Sequence, residues 1–235
     1  MTSVLITGAN RGLGLEFVRQ YQNEGLTIHA CCRNPDGADE LNRLASQSNS
    51  TTIHRMEVTN TEHIRAVADS LKGVSIDRLI NNAGILGTVF DKPEDGAFGS
   101  VNYDAWEEVM RVNVLAPFEV CEAFVDHVAA SKEKIMIFVS TYMASITELT
   151  DAGYYPYRSS KAALNLIVKG LSLDLADRNV RTLAFHPGWV QTDMGTNAAP
   201  VKIPDSISGM KKVIDNYMPP RTGEFINYDN TPIQW

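Results

Sequence analysis

Short, β-branched apolar runs alternate with longer segments of helical periodicity along this chain, and this alternation restricts the fold more than any other sequence feature. Between the runs, apolar residues recur at three- and four-residue spacing, as at Leu13, Phe17 and Tyr21. Runs that are apolar on both faces are typical of strands buried in a parallel sheet. The predicted strands cover residues 4–6, 26–32, 52–58, 78–80, 135–139 and 180–185, with residues 224–227 as a last strand.

Strand–helix–strand alternation of this kind implies right-handed crossovers with helices on both sides of the sheet. We therefore predict an α/β fold with a doubly wound, Rossmann-type parallel sheet. At 235 residues, without a linker or a repeat, the chain is predicted to form one domain over residues 1–235. Residues 87–101 and 188–204 are punctuated by glycine and proline and are predicted to be loops.

The charge balance and the cysteines exclude several classes of partner. A net charge of −7 without a basic block argues against nucleic acid. Cys31 and Cys32 are adjacent, and the three cysteines have neither a metal-ligand spacing nor an even number for disulfides. No apolar run is long enough to span a bilayer, and the first residues do not resemble a signal peptide. We expect a cytoplasmic protein that binds no metal, nucleic acid or membrane.

The first predicted strand leads directly into the turn Thr7-Gly8-Ala9-Asn10-Arg11-Gly12-Leu13-Gly14 and then into an amphipathic helix. Unpaired N–H groups and a partial positive charge at a helix N-terminus suit a pyrophosphate. Gly8 permits the tight turn, Gly12 lets the backbone approach a ligand, and Gly14 lets the helix pack against the strand. A purely structural turn is the alternative, but the position after the first strand favours a dinucleotide cofactor.

The end of the second predicted strand indicates which dinucleotide is bound. Folds of this kind that bind NAD commonly place an acidic residue there, to hold the ribose hydroxyls. This chain has Arg33 instead, and Arg11 lies in the glycine turn. Two arginines can hold a 2′-phosphate, although either alone is more often a surface residue. Asp36 and Asp39 follow Pro35 and are less well placed. The pattern predicts NADP(H).

Tyr157 and Lys161 are the candidate reacting pair. Residues four apart lie on one face of a helix, so both side chains can point into one cavity. A nearby ammonium favours the phenolate and so lowers the tyrosine pKa from about 10. Such pairs occur by chance on many helices, and their weight depends on the accompanying motifs.

Those motifs are present in order and at the spacing of the short-chain dehydrogenase/reductase family, which the chain resembles over nearly its full length. They are the glycine turn, Asn81-Asn82-Ala83-Gly84, Asn113, the Tyr157/Lys161 pair, and His186-Pro187-Gly188-Trp189-Val190-Gln191-Thr192. Within the family, the chain is most similar to sniffer-type carbonyl reductases and C-factor-like proteins. The stretches YRSSKAALN, HPGWVQTDMG and FINYDNTPIQW carry this finer match.

The resemblance implies roles for these residues. Tyr157 would donate a proton to the substrate oxygen, Lys161 would hold the nicotinamide ribose and depress the tyrosine pKa, and Asn113 would maintain a water-linked proton path. Glu57 stands where the family usually has aspartate near the adenine. The implied cofactor-binding set is Gly8, Asn10, Arg11, Gly12, Leu13, Gly14, Arg33, Glu57, Val58, Asn82, Ala83, Gly84, Tyr157, Lys161, Pro187, Gly188, Val190 and Thr192.

The family also has a serine whose hydroxyl polarises the substrate oxygen, usually the second residue of a Ser-Ser pair. Here the pair is Ser140-Thr141, which makes Thr141 the candidate. Threonine keeps the hydroxyl donor but adds a methyl group and restricts the rotamers. Ser140 is the alternative if the fifth strand ends one residue earlier.

These features together predict reduction of an aldehyde or ketone to an alcohol by hydride transfer from NADPH, with Tyr157 as general acid. Apolar residues near the site favour an aromatic or medium-sized substrate, and His186 is expected to be a core or cofactor-side residue. An NADP(H)-binding signalling or sensor protein of C-factor type is the alternative. The resemblance further implies a homodimer or homotetramer, paired through helices beginning near Asp104 and Tyr154.

Overall fold

The computed structural model describes residues 2–87 and 96–235. In this part of the chain, seven strands form one sheet, and every neighbouring pair is parallel. The strand order is β3-β2-β1-β4-β5-β6-β7. The strands are β1 (Ser3–Thr7), β2 (Thr27–Cys32), β3 (Thr51–Arg55), β4 (Arg78–Asn81), β5 (Ile135–Val139), β6 (Arg181–His186) and β7 (Glu224–Asn227).

The strands are linked by α1 (Gly12–Asn23), α2 (Asp39–Ser46), α3 (Thr61–Ser70), α4 (Tyr103–Met110), α5 (Ala116–Ala129), α6 (Tyr155–Asp174) and α7 (Ile203–Asp215). One core contains residues of α1, α2 and α7, and a second core on the other side of the sheet contains residues of α3, α5 and α6. Successive β1 residues alternate between them, because Val4 and Ile6 belong to the first core and Leu5 to the second. The predicted doubly wound α/β fold is confirmed.

The third predicted strand was too long and too buried. The strand β3 ends at Arg55, so Glu57 and Val58 lie in the turn that follows it. Its five residues are half-buried or exposed, because β3 is an edge strand that pairs only with β2. The expectation that every run is buried on both faces is therefore wrong for this strand. In contrast, β5 and β7 have the predicted boundaries.

The structure describes the second predicted loop in full and the first only in part. Of residues 87–101, residues 88–95 lie outside the described part. The second loop is ordered by a short parallel bridge between Val190 and Val201, and α7 begins at Ile203, slightly before the predicted end of the loop. Within the described ranges, no helix combines the length and apolar character needed to cross a lipid bilayer.

Candidate active site

A cleft with a volume of about 1730 Å³ opens at the carboxyl ends of the strands, where β1 pairs with both β2 and β4. This is the topological switch point, where open α/β sheets bind ligands. The cleft is lined by every predicted cofactor-binding residue except Gly14, and also by Ser140, Thr141, Tyr157 and Lys161. The fold thus brings together motifs that are spread from residue 8 to residue 192. Asn113 does not line the cleft.

The glycine turn is attached firmly to the end of β4. The Thr7 hydroxyl oxygen accepts hydrogen bonds from the backbone N–H groups of Asn82 and Ala83, both at 3.1 Å. The Asn82 amide donates to the carbonyl oxygens of Thr7 and Gly8, at 2.9 and 3.1 Å. A Cβ atom on Gly14 would lie only 2.2 Å from the Gly8 carbonyl oxygen, so α1 packs against the turn as predicted. Thr7 and the Asn82 side chain brace the turn, a role the motif did not reveal.

The start of α1 is suited to bind an anion. Its N-cap residue, Arg11, has an extended backbone and makes no side-chain capping bond. The first amide groups of α1 are therefore not satisfied by a cap, and they stand beside the cleft at Gly12 and Leu13. This geometry fits the pyrophosphate of a dinucleotide.

The two arginines predicted to bind a 2′-phosphate both reach the cleft, and each is paired with a carboxylate. Arg33 lies 3.5 Å from Glu57, and Arg11 forms an ion pair with Asp193. Asp36 instead pairs with Arg55 at 2.8 Å, and neither residue lines the cleft.

Tyr157 and Lys161 lie in the first turns of α6 and are almost fully buried. Burial raises the pKa of Tyr157 to about 12, and a hydrogen bond with Thr141 opposes this rise. Burial lowers the pKa of Lys161 to about 8. The Lys161 Nζ donates to the Val139 carbonyl oxygen at 2.9 Å and lies 6.0 Å from the centroid of the Tyr157 ring.

The predicted lowering of the Tyr157 pKa by Lys161 is therefore not seen. Burial outweighs every opposing contribution, and Thr141 supplies the one that lowers the pKa. The ammonium of Lys161 is directed at a backbone carbonyl.

Ser140 and Thr141 point in different directions. The Ser140 hydroxyl donates to Asn165 Oδ1 at 2.6 Å inside the protein, and both residues are buried. The Thr141 hydroxyl accepts from the backbone N–H of Met143 at 3.3 Å, and it is close enough to Tyr157 to lower the pKa of that residue. This geometry favours Thr141 as the hydroxyl that meets a substrate.

Asn113 connects α6, the helix that carries Tyr157 and Lys161, to the loop after β4. It is fully buried in a π-helical turn, Arg111–Leu115, between α4 and α5. Its Oδ1 accepts from the Ile85 N–H at 2.9 Å, and its Nδ2 donates to the Ile85 carbonyl at 2.8 Å and to the Ser160 hydroxyl at 3.0 Å. Ser160 in turn donates to the Tyr157 carbonyl at 2.8 Å. Asn113 therefore acts through Ser160 on the turn that carries Tyr157.

Several large side chains also line the cleft. Tyr142, Met143, Trp189 and Met194 line it, whereas Tyr154 does not. The Tyr142 hydroxyl donates to Glu148 at 3.0 Å, which restrains the ring. The cleft also includes His186, and burial lowers the pKa of this residue to about 4, so that its ring is neutral near pH 7.

Comparison with known proteins identifies the family. A family model described as short chain dehydrogenase matches residues 2–202. The C-signal protein of Myxococcus xanthus is 38% identical over 172 residues, which cover 73% of this chain and 100% of that protein. The chain belongs to the short-chain dehydrogenase family.

Two solved structures are similar over the whole chain. The carbonyl reductase Sniffer of D. melanogaster superposes with a TM-score of 0.92 at 31% identity, covering 100% of both chains. An NADPH-bound carbonyl reductase from chicken fatty liver superposes with a TM-score of 0.90 at 33% identity, covering 100% of this chain and 99% of the other. The predicted family and the resemblance to sniffer-type and C-factor-like proteins are confirmed.

Proposed function

We propose that this protein is an NADPH-dependent oxidoreductase that reduces an aldehyde or ketone to an alcohol. The observation that carries the proposal is the placement of the Tyr157 and Thr141 side chains in one large cleft with the glycine turn. Both groups are O–H donors, and two donors converging on one point suit a carbonyl oxygen that becomes negative as it is reduced.

The cofactor would be held by groups at both ends of the cleft. The amides at the start of α1 would bind the pyrophosphate, Arg11 and Arg33 the 2′-phosphate, and Glu57, Val58, Asn82, Ala83 and Gly84 the adenosine side. Lys161 would hold the nicotinamide ribose, and the segment from Pro187 to Thr192 the carboxamide. When bound, NADPH supplies the hydride. The NADPH-bound carbonyl reductase from chicken fatty liver supports this choice of cofactor.

Tyr157 would act as the general acid. The phenol, whose pKa burial raises to about 12, is protonated at neutral pH. It would give its proton to the substrate oxygen because that oxygen becomes a more strongly basic alkoxide as the carbonyl is reduced. Thr141 would donate a hydrogen bond to the same oxygen. Lys161, with a pKa of about 8, can carry a proton into the site, and Asn113 would keep α6 in register through Ser160.

The walls of the cleft favour an apolar substrate. Tyr142, Met143, Trp189 and Met194 offer aromatic and thioether surfaces that suit an aromatic or medium-sized carbonyl compound. The similarity to two carbonyl reductases supports this class.

A signalling or sensor protein that binds NADP(H) is the second candidate, because the chain is 38% identical to the C-signal protein. Such a protein would bind the cofactor and show little turnover. Its biological effect would be lost through changes at the glycine turn and would survive changes at Tyr157.

We further propose a cytoplasmic homodimer or homotetramer. The α4–α5 segment and α6 carry apolar side chains that remain exposed in the single chain: Leu115, Phe118, Leu166 and Leu173. Pairing of these helices with a second copy would bury that surface.

The test is to follow NADPH oxidation by absorbance with aromatic aldehydes and diketones, comparing wild type with Tyr157→Phe and using NADH as the cofactor control. Turnover with NADPH that collapses in the variant supports both the activity and the role of Tyr157. Turnover that survives in the variant contradicts the mechanism. Cofactor binding without turnover by either protein favours the sensor.

A further inference from the structure

The two arginines that are proposed to bind the 2′-phosphate each have a carboxylate partner. Arg33 Nε lies 3.5 Å from Glu57 Oε2, and Arg11 is paired with Asp193. All four residues line the same cleft. Each of the two pairs therefore carries no net charge.

Each pair connects different parts of the fold. Arg33 follows β2, and Glu57 follows the neighbouring strand β3. Arg11 is the N-cap of α1, whereas Asp193 is in the loop after β6, 182 residues away in sequence. The side chain of Arg33 is 83% exposed, and those of Arg11 and Asp193 are 68% and 80% exposed.

Exposed ion pairs of this kind contribute little to stability, so a stronger anion can replace the carboxylate. A phosphate monoester carries about two charges and binds guanidinium in a bidentate manner, which makes it such an anion. The displaced carboxylate still lines the cleft and repels the incoming phosphate.

We propose that Glu57 and Asp193 are cofactor-selectivity residues that reduce the preference for NADPH over NADH by serving as internal counter-ions of Arg33 and Arg11. The inference rests on the proposed function, in which these arginines receive the 2′-phosphate. The inference does not extend to Asp36, because its carboxylate is paired with Arg55 outside the cleft.

The test uses Glu57→Gln and Asp193→Asn. Glutamine can still accept the hydrogen bond that the Thr59 hydroxyl donates to Glu57 Oε1 at 3.2 Å. The matched control is Asp126→Asn, which removes an exposed carboxylate paired with Arg178 at 2.5 Å, away from the cleft. Dissociation constants are measured by calorimetry for NADPH, NADH, adenosine 2′,5′-bisphosphate and adenosine 5′-monophosphate.

In each cleft variant we expect the ratio of the NADH to the NADPH dissociation constant, and the ratio of the monophosphate to the bisphosphate dissociation constant, to rise roughly three- to tenfold. A contact of Glu57 with the adenosine is common to both ligands of each pair and cancels in these ratios. The control variant should match wild type, and the gain should shrink as salt is added. If neither ratio rises, or if the four ligands change by the same factor, the inference is wrong. A wild type that binds NADH but not NADPH would instead contradict the proposed cofactor, so the two failures are distinguishable.

Discussion

The two ends of the cleft are built differently. At the chemical end, Tyr157, Lys161 and Thr141 are buried, and Lys161 donates to a backbone carbonyl oxygen. Asn113 is buried outside the cleft and is hydrogen-bonded to Ser160 of the same helix. At the cofactor-selecting end, Arg11 and Arg33 are exposed and held by ion pairs. Burial shifts the pKa values of Tyr157 and Lys161 strongly, because a charge there loses its hydration. Charges at the exposed end are screened by salt, and their ion pairs are weak enough for one partner to be replaced by another. Changes at the chemical end should therefore alter turnover, and changes at the exposed end should alter cofactor choice.

Of the changes that separate the two ends, we expect substitution of Thr141 to have the largest effect, a loss of kcat. Removing one hydrogen-bond donor to a developing oxyanion typically costs about 10²–10³ in rate, and we expect Thr141→Ala to lower kcat by that factor. Thr141→Ser keeps the hydroxyl and should retain most activity. The cofactor dissociation constant serves as the control and should be unchanged. If kcat falls equally in both variants, the loss comes from altered packing and not from the missing hydroxyl.

The next largest effect concerns Lys161, whose burial should make the free energy of unfolding depend on pH. Its pKa is lowered from 10.5 to about 8, so between these values the unfolded chain binds the proton and the folded chain does not. The free energy of unfolding contributed by this group therefore rises with pH across that window, by an amount of the order of 1–3 kcal/mol. Urea denaturation at pH 7.5 and pH 10 should show a larger rise in wild type than in Lys161→Met. The same rise in both proteins would contradict this assignment.

A smaller and more selective effect is expected at the exposed end. Arg33→Ala removes one of the two cations and should weaken NADPH binding by about tenfold, while NADH binding stays nearly the same. Calorimetric titration with both cofactors measures this difference. A loss that is equal for NADH and NADPH would show that Arg33 supports the cleft without recognising the 2′-phosphate.

Much of the fold was predictable because the pattern is strong and local. The apolar runs at residues 135–139 and 224–227 became strands with the same ends, and the four-residue spacing placed Tyr157 and Lys161 in one cleft. The length and burial of the edge strand β3 were overestimated, because the sequence does not reveal which strand lacks a neighbour on one side.

The remaining features of the site depend on long-range contacts. Whether Ser140 or Thr141 faces Tyr157 is decided by a one-residue alternation at the end of β5, which motif spacing cannot resolve. The pairing of Arg11 with Asp193 exists only in three dimensions. The effect of Lys161 on the Tyr157 pKa was overestimated, because the extent of burial at this site is a property of the packed cleft.

The most direct test of the central claim is the single-turnover rate of carbonyl reduction by the NADPH complexes of wild type and Tyr157→Phe, with the NADPH dissociation constant measured on the same samples. If Tyr157 is the general acid, the rate should fall by about 10²–10⁴ in the variant while cofactor binding is unchanged. A rate that stays within about threefold of wild type would contradict the account, because a positioned general acid is worth far more than that.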